Sequence, residues 1–388
     1  MIQITDRSKC CGCTACVNAC PAQCIVMRRD REEGFDYPVA NPDLCLRCGK
    51  CESVCPVLNP MDIVKPEQAL AVRCEEFVGC SSSGGVFPAL AKAVIDEGGV
   101  VFGAVMERDF IVGHTEAETM EEVQRMRGSK YVQSDLYGTF MDAEQYLEDG
   151  RKVLFTGTPC QIAGLKKYLG KDYDNLLAVD TACHGVPGPG VWEMYIKALQ
   201  GRVKSDIASV NFRDKSRSWR HYAMTCKDSD NNAVRSVSAD DDPYMALFMQ
   251  DMTLRPSCYA CPARNGRSGS DLTLADLWSV TSSLPALDDD RGVSGVLVNS
   301  DKGRRYINLI SAEIRMELPV AAVTAQNGGF AESVPVPEKR EEFFKGLGVA
   351  GVDVYRHMKK YVVRRPLPVR IYRNLRSWLS SLKRRIRK

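Results

Sequence analysis

The chain has 388 residues, an apolar fraction of 44%, and 52 Lys+Arg against 49 Asp+Glu, a formal net charge of +3. That length predicts two or three domains, and the composition is that of an ordinary globular protein. No apolar stretch is long enough to span a membrane, and the start MIQITDRSKCCGC lacks the apolar core of a secretory signal. The 17 cysteines therefore predict metal ligation in a reducing cytoplasm rather than disulfides.

The first chemistry-bearing stretch is a pair of cysteine runs. Cys10, Cys13, Cys16 and Cys20 precede Pro21, and Cys45, Cys48, Cys51 and Cys55 precede Pro56. Both fit C-x₂-C-x₂-C-x₃-C-P, the bacterial run whose thiolates hold 4Fe–4S clusters. The fourth cysteine of each run ligates the other cluster. This wiring assigns Cys10, Cys13, Cys16 and Cys55 to one cluster, and Cys45, Cys48, Cys51 and Cys20 to the second. Cys11 and Cys24 fall outside the pattern and read as packing residues. The segment resembles a two-cluster bacterial ferredoxin, here fused as an electron wire to a longer chain. Residues 1–9 and 22–40 read as short strands and turns with little apolar core, so the metal supplies much of the folding free energy. Pro56, Pro60 and Pro66 mark a linker, which closes a first domain over residues 1–65.

The next segment alternates strands and helices. Ser82-Ser83-Gly84-Gly85 feeds a helix over 86–95. Such a loop exposes backbone N–H groups that hold an anion or a cofactor phosphate, or it is an ordinary helix cap. Strands are predicted at 100–106, 153–155 and 176–180, and helices at 117–127, 161–169 and 191–199. Cys160 and Cys183 each sit just past the carboxyl end of a strand, the edge where open α/β sheets bind ligands. The two could converge on one site. Antiparallel strands are predicted from Val210 onward, at 222–227 and 233–237. Cys258-Tyr259-Ala260-Cys261-Pro262 is like the end of a cluster run. Strands at 272–278 and 292–299 and a helix at 303–310 complete the segment.

From Tyr355 the chain holds many Lys and Arg and no acid. Ile371, Leu375, Trp378, Leu379, Leu382 and Ile386 fall on one helical face among arginines. A basic amphipathic helix of this kind reads as a peripheral membrane contact through residues 366–388, on the inner face of the cell membrane, or as a partner-docking helix. The plainer alternative is a helix packed on the body with a solvated basic edge. No nucleic acid is expected, since no recognition module accompanies the charge.

Ser83-Gly84-Gly85, residues 129–134, Gly157-Thr158-Pro159-Cys160-Gln161 and Cys183-His184-Gly185 together resemble the coenzyme F420 hydrogenase/dehydrogenase beta-subunit family. Residues 211–215 with Trp219, the Cys258/Cys261 pair and Asp276-Leu277-Trp278 fit its later motifs. The chain departs from the family at Ala275 and Ser279, where many relatives carry glycine. Members are iron–sulfur flavoproteins. The resemblance implies a bound FAD contacted by Ser82, Ser83, Gly84, Gly85, Lys130, Tyr131, Gln133, Ser134, Thr156, Gly157, Thr158 and Asp276. It also implies a third 4Fe–4S cluster on Cys160, Cys183, Cys258 and Cys261, which meets the four-cysteine requirement.

The expected fold is a mixed α/β (α+β) chain. A two-cluster ferredoxin-like domain is followed by a larger α/β flavin-binding domain over 66–345 and a basic tail over 346–388. The expected activity is electron transfer between clusters and a flavin that oxidises or reduces a small organic substrate. Lys130 is the candidate for tuning the flavin, with phosphate contact or simple surface exposure as the alternative. His184 is the candidate acid–base residue, with simple packing as the alternative. A relay subunit docking to a redox partner protein is the competing reading. A cluster-based sensor is a third, opposed by the complete flavin-type motifs.

Overall fold

The computed structural model describes residues 1–364. In the N-terminal lobe, β1 (Ile25–Arg29) and β2 (Asp36–Ala40) form an antiparallel hairpin that pairs Ile25 with Ala40. Two one-turn helices carry the third cysteine of each run, α1 (Ala15–Asn18) with Cys16 and α2 (Lys50–Ser53) with Cys51. Each begins after a left-handed residue, Thr14 at φ 57° and Gly49 at φ 75°. That repeated sharp turn swings successive cysteines toward one side. The small buried cluster of this lobe is half cysteine: Ile2, Cys24, Ile25 and Cys51. With so little apolar area, ligation must contribute to folding.

The body then runs β3 (Gln68–Arg73), α3 (Glu75–Val78), α4 (Val86–Ile95), β4 (Val100–Met106), β5 (Val112–Ala117), α5 (Met120–Met126), α6 (Thr139–Glu148), β6 (Val153–Gly157), α7 (Pro159–Leu169), β7 (Leu176–Thr181) and α8 (Pro189–Gln200). It continues through β8 (Ser209–Asp214), β9 (Ala223–Lys227), β10 (Ala233–Ser238), α9 (Pro243–Met249), β11 (Leu272–Asp276), α10 (Val280–Ser283), β12 (Ser294–Val298), α11 (Asp301–Leu309), β13 (Ile314–Leu318), α12 (Val320–Thr324), α13 (Arg340–Leu347) and α14 (Val354–Tyr361).

Eight strands make one sheet in the order β13-β3-β12-β11-β7-β6-β4-β5. Its centre, β4, β6, β7 and β11, is parallel, and the flanking pairs are antiparallel. β4 and the first residues of β6 and β7 are apolar runs because both faces are covered, whereas β11 alternates, Leu272-Thr273-Leu274-Ala275-Asp276. Val101, Leu154 and Leu177 pack under α4, α5 and α11. Phe102, Phe155 and Ala178 pack under α6, α7 and the lobe's α1. A separate sheet, β10-β9-β8, joins α8, α9, α13 and α14 around Trp192, Tyr195 and Tyr244.

The helix expected over 117–127 begins later. Ala117 closes β5, and the Thr119/Glu122 capping box starts α5 at Met120. The predicted amphipathic helix on residues 366–388 lies outside the described residues. The start of the basic segment is α14, whose Met358 and Tyr361 are buried. No helix among the described residues is long and apolar enough to cross a membrane.

Lobe and body meet over a fitted surface. The Gly190 N–H donates to Gly34 O at 3.0 Å, and a Cβ on Gly34 would stand 2.8 Å from Gly190 Cα. Asn18 Nδ2 donates to Tyr137 O at 3.2 Å.

Candidate iron–sulfur and cofactor site

The lobe holds two cysteine-lined cavities. Cys10, Cys13, Cys16 and Cys55 line one, with Cys11 also in the wall. Cys20, Cys45, Cys48 and Cys51 line the other, with Cys24 in its wall. The two sets have the crossed composition read from the spacing. The lone extra cysteines are neighbours of ligands: Cys24 Sγ lies 3.5 Å from Cys20 Sγ.

In the body, Cys160 enters at the start of α7, where the Thr158/Gln161 capping box fixes the turn after β6. Cys183 follows β7, while Cys258 lies within a short 3₁₀ turn over Pro256–Ala260 and Cys261 caps its end. Three separate segments thus bring all four cysteines into the wall of one cavity. Burial raises Cys183 well above the ordinary thiol range, and the other three thiols add to the shift. Burial likewise pushes Cys258 up to about 12 and Cys261 to about 11. Four crowded thiols are costly to ionise unless a cation sits among them, which is the need that a bound iron core meets. Among the described residues no group of three His, Cys, Asp or Glu closes on a point as a single metal ion requires. The cysteines ring cavities instead.

Beside this site lies a larger cavity of ≈350 Å³, within the range of small-ligand pockets. Its wall includes Ser82, Ser83, Gly85, Lys130, Tyr131, Gln133, Ser134, Thr156, Gly157, Thr158, His184 and Asp276. Gly84 is absent from that wall. Its N–H donates to Ser294 Oγ at 3.0 Å, and a Cβ there would stand 2.4 Å from Val72 O. Glycine is needed for close packing on β3 and β12 rather than for the cavity.

One end of the cavity is built for an anion. The N-cap of α4 is Gly85 at φ 88° with no side-chain cap, so the Val86 and Phe87 N–H groups are left to a ligand, Pro88 having none. Ser129 donates to Ser82 Oγ at 2.8 Å from its N–H. Ser81 Oγ and Arg127 Nε are buried there without a partner. At the other end, the Tyr131 and Phe248 rings lie 4.7 Å apart. Arg213 pairs with Asp276, yet Arg213 Nη2 and Asp276 Oδ1 are left without partners.

Lys130 Nζ donates to the carbonyls of Arg125, Met126 and Arg127 at 2.9, 2.8 and 3.1 Å. It thereby closes the end of α5. Burial, with Arg125 nearby, pushes it down to about 7. His184 packs on Phe248 with ring centroids 4.5 Å apart. Burial lowers its pKa, although Asp251 at 3.5 Å opposes this.

Arg255 escaped the sequence reading. It lies three residues before Cys258, and its partners are more than a hundred residues away. Only its nearness to a cysteine pair could have flagged it. Its guanidinium donates to Gln133 Oε1 at 2.9 Å and to Cys10 O at 2.7 Å.

Two ligand runs with crossed cavities define an iron–sulfur electron-transfer protein, and residues 9–59 match the 4Fe-4S dicluster domain. Residues 150–322 match the C terminus of the coenzyme F420 hydrogenase/dehydrogenase beta subunit. The chain thus carries a domain of that beta-subunit family behind a 4Fe-4S dicluster domain. An uncharacterized protein of Methanocaldococcus jannaschii is 24% identical over 204 residues, 45% of this chain and 56% of that protein. A subunit of the F(420)H(2) dehydrogenase of Methanosarcina mazei is 24% identical over 178 residues, 41% of this chain and 48% of that one. The chain thus spans about half the length of these curated relatives. A solved structure of the F420-reducing NiFe hydrogenase complex from Methanosarcina barkeri contains a chain of 14% identity. It covers 77% of this chain and 91% of its own length, at a TM-score of 0.44, a weak likeness.

Proposed function

We propose that this chain is an iron–sulfur flavoprotein oxidoreductase. Electrons run between the lobe clusters and an FAD in the large cavity, by way of a third 4Fe–4S cluster on Cys160, Cys183, Cys258 and Cys261. One observation carries the reading. Thr158, Thr181, Ala182, Cys183, Gly185 and Val186 belong to the walls of both the four-cysteine cavity and the large one. A single layer of residues therefore separates the two groups.

A flavin exchanges one or two electrons and so joins cluster chemistry to hydride chemistry. The residues fit it. Ser81, Arg127 and the open first turn of α4 bind its diphosphate. Arg213 and Asp276 present a donor and an acceptor side by side to a polar ring edge. Lys130 closes α5 and positions the loop at residues 128–134. His184 holds or releases a proton at the aromatic end. Ala275 adds a methyl group to the wall, so the organic substrate differs in fit from one that meets glycine there.

A second reading, a relay that hands electrons to a partner enzyme, draws on the M. mazei relative being one component of a larger dehydrogenase. One experiment separates the two. The anaerobic full chain is reduced with dithionite, desalted, and mixed with a deazaflavin, a nicotinamide or a quinone. Reoxidation of the flavin by one of these supports the oxidoreductase; reoxidation by none of them favours the relay. In Cys183→Ser, flavin reduction by limiting dithionite is expected to slow. An unchanged rate overturns the proposed route through the body cluster.

A further inference from the structure

Arg255 is 1% exposed, among the most deeply buried charges in the protein. Every nitrogen of its guanidinium is engaged. Nε donates to Cys10 O at 2.7 Å, Nη1 to Gln133 Oε1 at 2.9 Å, and Nη2 to Asp36 O at 2.9 Å and Cys10 Sγ at 3.5 Å. The group lies over the Tyr37 ring at 4.4 Å and the Phe35 ring at 5.4 Å. Cys160 and Cys258, from the body cavity, are within its electrostatic reach.

These partners are carbonyls, an amide, rings and a thiol, with no carboxylate among them. A buried cation without a countercharge is costly by several kcal/mol. The countercharge is supplied once the lobe's first cluster is bound. Four thiolates outweigh the charge of the iron core, so the loaded cluster is net negative. Reduction adds one electron and makes it more negative still. Potentials of such clusters are set by net charge and by hydrogen bonds to the sulfurs. A fixed cation with an N–H aimed at Cys10 Sγ therefore favours the reduced state.

We propose that Arg255 is a positioning residue that raises the reduction potential of the cluster held by Cys10, Cys13, Cys16 and Cys55. Through Gln133, which also donates to Cys11 O at 3.0 Å, it holds the loop that carries Cys10 and Cys13 in place. This rests on the ferredoxin ligation and not on the flavin reading. Gly12 is required for the fit: a Cβ there would stand 2.7 Å from Gln133 Nε2 and 2.8 Å from Arg255 Nη1.

The test is an anaerobic redox titration of the full chain, followed by electron paramagnetic resonance. In Arg255→Gln the one-electron equilibrium of the cluster on Cys10, Cys13, Cys16 and Cys55 should shift at least about tenfold toward the oxidised form, about 59 mV. The cluster on Cys20, Cys45, Cys48 and Cys51 lies in the other cavity and should keep its potential. Arg255→Lys retains the cation and loses the fork, so its shift should have the same sign and be smaller. It also serves as the test if Arg255→Gln loses iron. No shift in the variants that retain iron, or an equal shift in every cluster, overturns the proposal.

Discussion

The Arg340 guanidinium grips the Glu33 carboxylate at 2.7 and 2.6 Å, tying α13 to the hairpin of the cysteine-rich lobe. Both side chains are largely buried, and Arg340 also donates to Leu254 O, next to Arg255. Removing one partner leaves the other charge buried and unpaired. Arg340→Met or Glu33→Gln should each cost about 3 kcal/mol. In a double-mutant cycle followed by denaturant unfolding, the two losses should be far from additive.

Gly164 on α7 packs against Cys13, a proposed ligand of the first cluster. A Cβ there would stand 2.9 Å from Cys13 Cβ and 3.0 Å from Cys13 Sγ. Gly164→Ala should displace that ligand at a cost of about 1–3 kcal/mol. Iron analysis should show faster loss of iron under a chelator than in the parent chain.

At the anion end of the cavity, Arg127→Met removes a half-buried cation whose Nε is without a partner. Flavin affinity should fall about tenfold, the worth of one charged hydrogen bond. Equilibrium dialysis against FAD measures this. The iron content should not change, because Arg127 lies in the wall of the large cavity and not of a four-cysteine one.

His114 sits under the same cavity with Nε2 2.8 Å from Thr156 O, and burial pushes its pKa down from 6.5 to about 4. The unfolded chain therefore binds a proton between pH 6.5 and about 4 that the folded chain refuses. On that sign, this residue's share of stability is present above pH 6.5 and falls by about 3 kcal/mol as pH drops toward 4. His114→Phe should flatten that part of the pH profile, measured as the difference from the parent at each pH. A parallel profile would refute the buried neutral imidazole.

β4, β6 and β7 were legible because each opens as a short apolar run, as burial on both faces demands, and β11 because Leu272 and Leu274 alternate with Thr273. The crossed cysteine sets were read from the C-x₂-C-x₂-C-x₃-C-P spacing, whose fourth cysteine serves the other cluster, and the same sets line the two cavities of the lobe. α6 was missed: only Phe140, Ala143 and Leu147 mark its buried stripe among charged neighbours. β3 and β13 were missed because their pairing is long-range, Ala71 with Met316. Arg255 was illegible for the same reason, since its meaning lies in Cys10, 245 residues away. The helix over 117–127 was misplaced at its start although the Thr119-x-x-Glu122 capping signal was there to read.

The proposed electron route is a chain of cofactors, two clusters in the lobe, one in the body and a flavin beside it. Iron and flavin per chain, measured on one anaerobic sample of the full-length protein, test it most directly. The complete route requires about twelve irons and about one flavin, at four irons per cluster. About eight irons with no flavin would contradict it.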